Sequence, residues 1–114
     1  MLVTNEVAQK CYEVVRVLNN KTDARKMHDW ENLSDKLVSE YEFMVNEILL
    51  NPHNSESLHQ AWAIYMMSNG WKYGERWISS HKVHPMLKEF SKLNESQIKQ
   101  FHTIIEVATC LQKL

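Results

Sequence analysis

A mainly α domain of about four helices, with a short extended or hairpin segment around residues 71–87, is the fold class this sequence predicts. Two observations carry that expectation. Only two glycines and two prolines occur in 114 residues, too few breakers for the many turns of an all-β design. Apolar residues recur at spacings of three and four along most of the chain, the period of one helix face. Hydrophobic residues make up 44% and charged residues 24%, a balance that supports one folded core and excludes a disordered chain.

From Val3 to about Leu18 the stripe is Val3, Val7, Cys11, Val14 and Leu18. The polar run Asn19 to Asp23 then predicts a break. A second helical pattern passes through Trp30, Leu33, Leu37, Tyr41, Met44, Val45 and Ile48, with Glu31, Asp35, Lys36, Glu40, Glu42 and Glu47 on the face assigned to solvent. It stops at Asn51-Pro52, because proline lacks the helical donor and biases the preceding residue out of the α region. Asn54-Ser55-Glu56-Ser57 supplies N-cap candidates and an early acidic residue for a third helix, from about Ser55 to Asn69. Gly70 can take the left-handed conformation that closes it. Trp71-Lys72-Tyr73 alternates aromatic and polar residues, the pattern of a half-buried extended segment. After the polar loop Ser79 to Lys82 comes Val83-His84-Pro85-Met86-Leu87; a short hairpin and an irregular aromatic loop both satisfy this stretch. The last helix is capped by Asn94, with Gln97 at the reciprocal position of a capping box. Its apolar face is Ile98, Phe101, Ile104, Ile105, Ala108 and Leu111.

Composition removes several functions. Lys plus Arg total 13 against 14 Asp plus Glu, a net charge of −1, which lacks the basic excess of a nucleic-acid binder. A basic pocket for a small anion remains compatible with it. Cys11 and Cys110 show no Cys-x-x-Cys spacing and are expected to be buried free thiols in a reducing compartment. No signal-like apolar core and no run of about 18 apolar residues is present, so no membrane partner is expected and cytoplasm is the assigned location. His81-x-x-His84 is the one close histidine pair, and it has no third ligand at a recognisable spacing; no metal is expected. A Gly-x-Ser-x-Gly elbow, a phosphate-binding glycine loop and a His-Glu-x-x-His motif are all missing. The expectation is therefore no enzyme, no catalytic residues and no cofactor.

Binding chemistry concentrates in two places. On the third helix Leu58, Ala61 and Tyr65 form one ridge, read as core, and His59, Trp62 and Met66 form the next. An imidazole one turn from an indole offers a hydrogen bond beside a flat stacking surface; the alternative is that Trp62 is core and His59 a partly exposed helix-start residue. The run from Gly70 to Trp77 holds three aromatics and both glycines, which permits close backbone approach to a ligand. Its alternative is an aromatic plug hinged on glycine that seals the helices.

His59-x-x-Trp62, Gly70-Trp71-x-Tyr73-Gly74, His84-Pro85-x-Leu87 and Leu93, preceded by Trp30-x-x-Leu33, together resemble the RyR domain, the repeat of ryanodine-receptor calcium-release channels that also occurs singly in bacterial and phage proteins. The resemblance runs from about Trp30 to Leu111. It implies an N-terminal helical extension over residues 1–25 and an RyR-like domain over 26–114. It also implies that His59 and Trp62 contact a base while Trp71, Tyr73 and Gly74 shape the pocket wall. The ligand-binding expectation covers His59, Trp62, Met66, Trp71, Tyr73, Gly74, Arg76 and His84. Leu58, Met66, Trp77 and Met86 depart from positions where the family often carries charge, leaving Lys72, Arg76, Lys82 or Lys88 to meet a phosphate.

The function expected from the resemblance is a non-enzymatic module for a small-molecule nucleotide ligand, an adenine nucleotide or a nucleotide second messenger. Such a module would be a signal sensor, or a phage sponge in an anti-defence role. Because paired repeats build one pocket in the channel, a homo-oligomer, dimer or higher, is expected; the stripe of the first helix would serve a dimer or fold back on its own core. The rival reading is a protein-interaction module with no small-molecule ligand, and a third is a small hydrolase acting on a nucleotide.

Overall fold

The computed structural model describes residues 3–22 and 27–113. Among these, four α-helices carry the architecture: α1 (Thr4–Thr22), α2 (Asp35–Leu50), α3 (Ser55–Ser68) and α4 (Glu95–Gln112). Helices α2 and α4 form a central pair, with α1 packed on one side of them and α3 on the other. The mainly α expectation holds, including the small extended segment between α3 and α4.

Local chemistry sets the helix boundaries. The side chain of Asn54 accepts the Ser57 N–H at 2.8 Å while the Ser57 hydroxyl accepts the Asn54 N–H at 3.0 Å. Asn94 and Gln97 repeat that reciprocal box at 2.8 and 3.0 Å. Each box satisfies donors that the first turn leaves without intrahelical partners. Gly70 ends α3 at φ 90°, a conformation that costs a residue bearing a Cβ roughly 1–2 kcal/mol. Helix α2 starts later than its apolar pattern. Trp30–Asn32 forms a separate 3-10 turn, Leu33 is extended, and the Ser34 hydroxyl accepts the Leu37 N–H at 3.3 Å to cap the helix.

The first helix departs from its predicted stripe. Val7, Ala8, Cys11, Tyr12 and Val15 are buried, whereas Val3 and Val14 are exposed. The core-facing stripe is rotated toward Ala8, Tyr12 and Val15 because Tyr12 is drawn inward: its ring meets Tyr41 edge-on at 5.3 Å and its hydroxyl donates to the His28 carbonyl. The polar run beginning at Asn19 does not break the helix, which continues through Thr22. Asn19 is itself buried and accepts from Gln100 of α4 at 3.4 Å. Asp23 and the predicted domain boundary at residues 25 and 26 lie outside the described residues. Helix α1 shares one core with α2, α3 and α4.

The extended segment pairs in an unexpected sense. Strands β1 (Lys72–Tyr73) and β2 (Val83–His84) run parallel, with Lys72 opposite Val83 and Tyr73 opposite His84. A hairpin would have made them antiparallel. The reversal happens within the intervening loop instead: a 3-10 turn at Ser79–His81 and a left-handed Lys82 at φ 54° turn the chain so that Val83 also bridges Ile78 in antiparallel sense. Gly74 is required by this arrangement. A Cβ there would sit 2.2 Å from Val83 Cγ1, so its lack of a side chain admits Val83 and not a ligand.

Candidate functional site

The ridge His59, Trp62 and Met66 is core. Trp62 is 1% exposed and His59 3%, while Ala61 and Tyr65 of the ridge assigned to packing are only half-buried. The assignment of the two ridges is thus corrected: Leu58 joins His59, Trp62 and Met66 inside. Aromatic edges enclose the indole, with Phe101 of α4 at 5.5 Å and His84 of β2 at 5.0 Å between ring centroids. Those contacts leave no open face on Trp62 for a base to stack upon, which corrects the stacking role expected of it.

The two buried histidines hold one backbone unit between them. His59 Nε2 donates to the Met86 carbonyl at 2.8 Å, and the Met86 N–H donates to His84 Nδ1 at 3.1 Å. Burial pulls the His59 pKa below its usual value, and the bond to Met86 opposes this only in part. Its ring is therefore a neutral strut at physiological pH. His84 also faces Trp77 at 5.4 Å and Trp71 at 6.1 Å, so one imidazole organises three indoles. Its sequence partner His81 is exposed, and among the described residues no three His, Cys, Asp or Glu side chains are grouped to hold a metal ion.

A cleft opens on the far side of these indoles. It measures about 310 Å³ and lies between the N-terminal turns of α2, the C-terminal turn of α3 and the aromatic segment. Its walls include Leu37, Tyr65, Met66, Trp71 and Trp77; its charged residues are Asp35, Lys36, Glu40 and Lys82. The volume stands at the small end of ligand pockets, roughly 300–1,000 Å³. Lys82 is anchored at the rim, its Nζ donating to the Asn69 carbonyl at 2.7 Å.

Glu40 connects the cleft to the core. The Trp62 indole N–H donates to Glu40 Oε1 at 2.6 Å, giving the buried donor the partner that tryptophan generally needs. Protein crowds the carboxyl, and that desolvation raises its pKa from 4.5 to about 7, with the indole bond pulling the other way. Tyr65 is pushed upward too, by burial first and then by the nearby carboxylates Glu40 and Glu42.

The eight predicted site residues therefore separate. Met66 and Trp71 reach the cleft. His59, Trp62 and His84 form the layer beneath it, Gly74 packs on Val83, and Tyr73 and Arg76 are exposed outside the cleft wall. Of the basic candidates Lys82 lines the cleft, Lys88 lines a different groove beside His59, and Lys72 and Arg76 line neither. Sequence reasoning missed Glu40, Lys36, Trp77 and Tyr65. A signal for Glu40 existed: it stands three residues after Leu37 and four before Met44, inside the apolar stripe and not opposite it. The model of one protein family, described as the RyR domain, matches residues 36–114. No solved structure matches the chain.

Proposed function

This chain belongs to the RyR domain family, and from that premise we propose that it is a non-enzymatic module that binds a nucleotide in the cleft beside Trp71. One observation carries the reading. An open cavity of about 310 Å³ brings an indole wall, the two carboxyls of Asp35 and Glu40 and the two lysines Lys36 and Lys82 together, the few convergent polar groups on an apolar lining that ligand sites have. A base would lie against Trp71 and Met66, with Glu40 at its edge. Phosphates would reach Lys36, Lys82 and the positive end of α2, whose first turn lines the same cleft.

This placement moves the base from Trp62 to Trp71 and gives Trp62 the task of fixing Glu40. Adenine nucleotides and nucleotide second messengers are the ligands to test, with a sensor or a signal-withholding sponge in the cytoplasm as the biological role. Assembly into a homo-oligomer is part of the same proposal, since a second copy over the mouth would enclose phosphates that the cleft leaves open.

Titration calorimetry with AMP, ADP-ribose and cyclic dinucleotides tests the reading. We expect binding by the wild-type protein and its loss in Trp71→Ala, with circular dichroism unchanged. An absence of heat with all of these ligands overturns it. A protein-interaction role has its own supporting observation: Ile64 and Met67 are 64% and 56% exposed beside the groove that contains Phe90 and Lys88. Substitution of those two residues by serine separates the readings, because nucleotide binding at Trp71 should survive it.

A further inference from the structure

Lys82 holds a left-handed backbone, φ 54° and ψ 51°, a region that residues with a Cβ seldom occupy and that persists where the surroundings fix it. Two contacts fix it here. The Lys82 carbonyl accepts the Lys72 N–H at 2.9 Å, and Lys82 Nζ donates to the Asn69 carbonyl at 2.7 Å. Asn69 is the C-cap of α3, where the last carbonyls carry the negative end of the helix dipole and favour a cation. The lysine stem passes close over Gly70, since a Cβ built there would touch Lys82 Cδ and Nζ at 3.6 Å.

The segment from Lys72 to His81 is thinly held. All of its residues but Gly74 and Trp77 are exposed, and the ladder of Lys72 and Tyr73 with Val83 and His84 is two residues long. Trp77 packs on His84, Ile78 and Val83 exchange backbone hydrogen bonds of 3.0 Å, and the Lys82 ammonium adds a side-chain tie to α3. Segments with so few buried contacts open more readily than the core does. Yet Trp77, Ser79 and Lys82 line one side of the cleft, while Tyr65, Met66 and Asn69 of α3 and its cap line another.

We propose that Lys82 is a positioning residue: by clamping its ammonium on the end of α3 it sets the spacing between the Trp77 wall and the α3 wall, and holds the cleft at the width a flat ring needs. The inference rests on the cleft being the nucleotide site. It differs from a phosphate contact in its consequences. An ammonium has three donors, and those that Asn69 leaves can still meet an anion. A positioning role, however, extends to ligands without any phosphate, because only the fraction of molecules with the wall in place can bind. A phosphate contact alone would leave those ligands unaffected.

Lys82→Met keeps an unbranched stem and deletes the ammonium. Hydrogen exchange reads the tie without any ligand: protection of the Ile78 and Val83 amides should fall about fivefold, the equivalent of one net hydrogen bond, and Lys82→Arg should restore it. Titration calorimetry with adenosine and with AMP should show both affinities lowered in Lys82→Met, that for adenosine by a factor of about two to five. Unchanged amide protection, or an unchanged adenosine affinity, overturns the positioning role and leaves the cleft reading standing. So does a wild-type protein that binds AMP but not adenosine, since recognition then lies with the phosphate. Wild-type binding of neither overturns the cleft reading itself, and the positioning role with it.

Discussion

The Trp62 indole N–H donates to the Glu40 carboxyl at 2.6 Å, tying the most enclosed ring of α3 to the wall of the cleft. One hydrogen bond thus couples the core to the cleft wall, and variants at either end should report on it.

Trp62→Phe removes the donor and keeps an aromatic ring. The stranded carboxyl alone should cost about 1–3 kcal/mol, read as a lower urea midpoint with an unchanged slope. Unaltered stability would mean that the Glu40 carboxyl finds water as good a partner as the indole.

The pH dependence of stability has a definite sign at Glu40. Its folded pKa of about 7 lies above the ordinary 4.5, so between those values the folded chain holds a proton that the unfolded chain has released. Stability from this group is complete below pH 4.5 and falls as pH rises to about 7. His59 acts oppositely: its lowered pKa means that stability is lost as pH falls below the usual histidine value of 6.5. Comparing wild type with Glu40→Gln isolates the first effect. The difference in Tm should shift in favour of Gln as pH rises from 4.5 to 7, and a constant difference would contradict the burial of the carboxyl.

Gly74→Ala should destabilise the segment between α3 and α4, because the new Cβ would lie 2.2 Å from Val83 Cγ1. A cost of about 1–3 kcal/mol is expected for overpacking of this kind. Val83→Ala in the same chain removes the clashing methyl, so a double-mutant cycle should show recovery of much of the loss. Additive costs would place the strain elsewhere.

The two cysteines should differ in reactivity. Cys11 is fully buried, its Sγ directed at the Ile104 carbonyl 3.6 Å away, and burial pushes its pKa up to about 12. Cys110 is exposed, contrary to the expectation that both thiols are buried; it lies outside the core-facing side of α4, where Ile104 and Ala108 point inward. A thiol reagent should label Cys110 in the folded protein and Cys11 only on unfolding. Rapid labelling of both would show that α1 detaches from α4.

The parts of the fold written in the sequence are those set by neighbouring residues. Asn54 and Asn94 announce their helices because a short polar side chain can reach the N–H three residues on. Pro52 and Gly70 stop theirs through backbone geometry that needs no partner. The family resemblance was legible in the same way, from residues whose spacing survives in a single line of text. The parallel pairing of β1 with β2 was not, because a left-handed Lys82 decides it and nothing local requires that conformation of a lysine.

The sequence by itself determined that there are four helices, the caps at Asn54 and Asn94 and the family; the tertiary structure alone decided where the first helix ends and the second begins, which aromatic face turned inward and what Glu40 does. Periodicity groups His59, Trp62 and Met66 on one ridge but does not say whether packing or a cavity lies opposite it. That depends on Phe101 and His84, which arrive from α4 and β2. Glu40 reads as a solvated charge until an indole from another helix binds it, because desolvation and hydrogen bonding are properties of surroundings that only the assembled core creates.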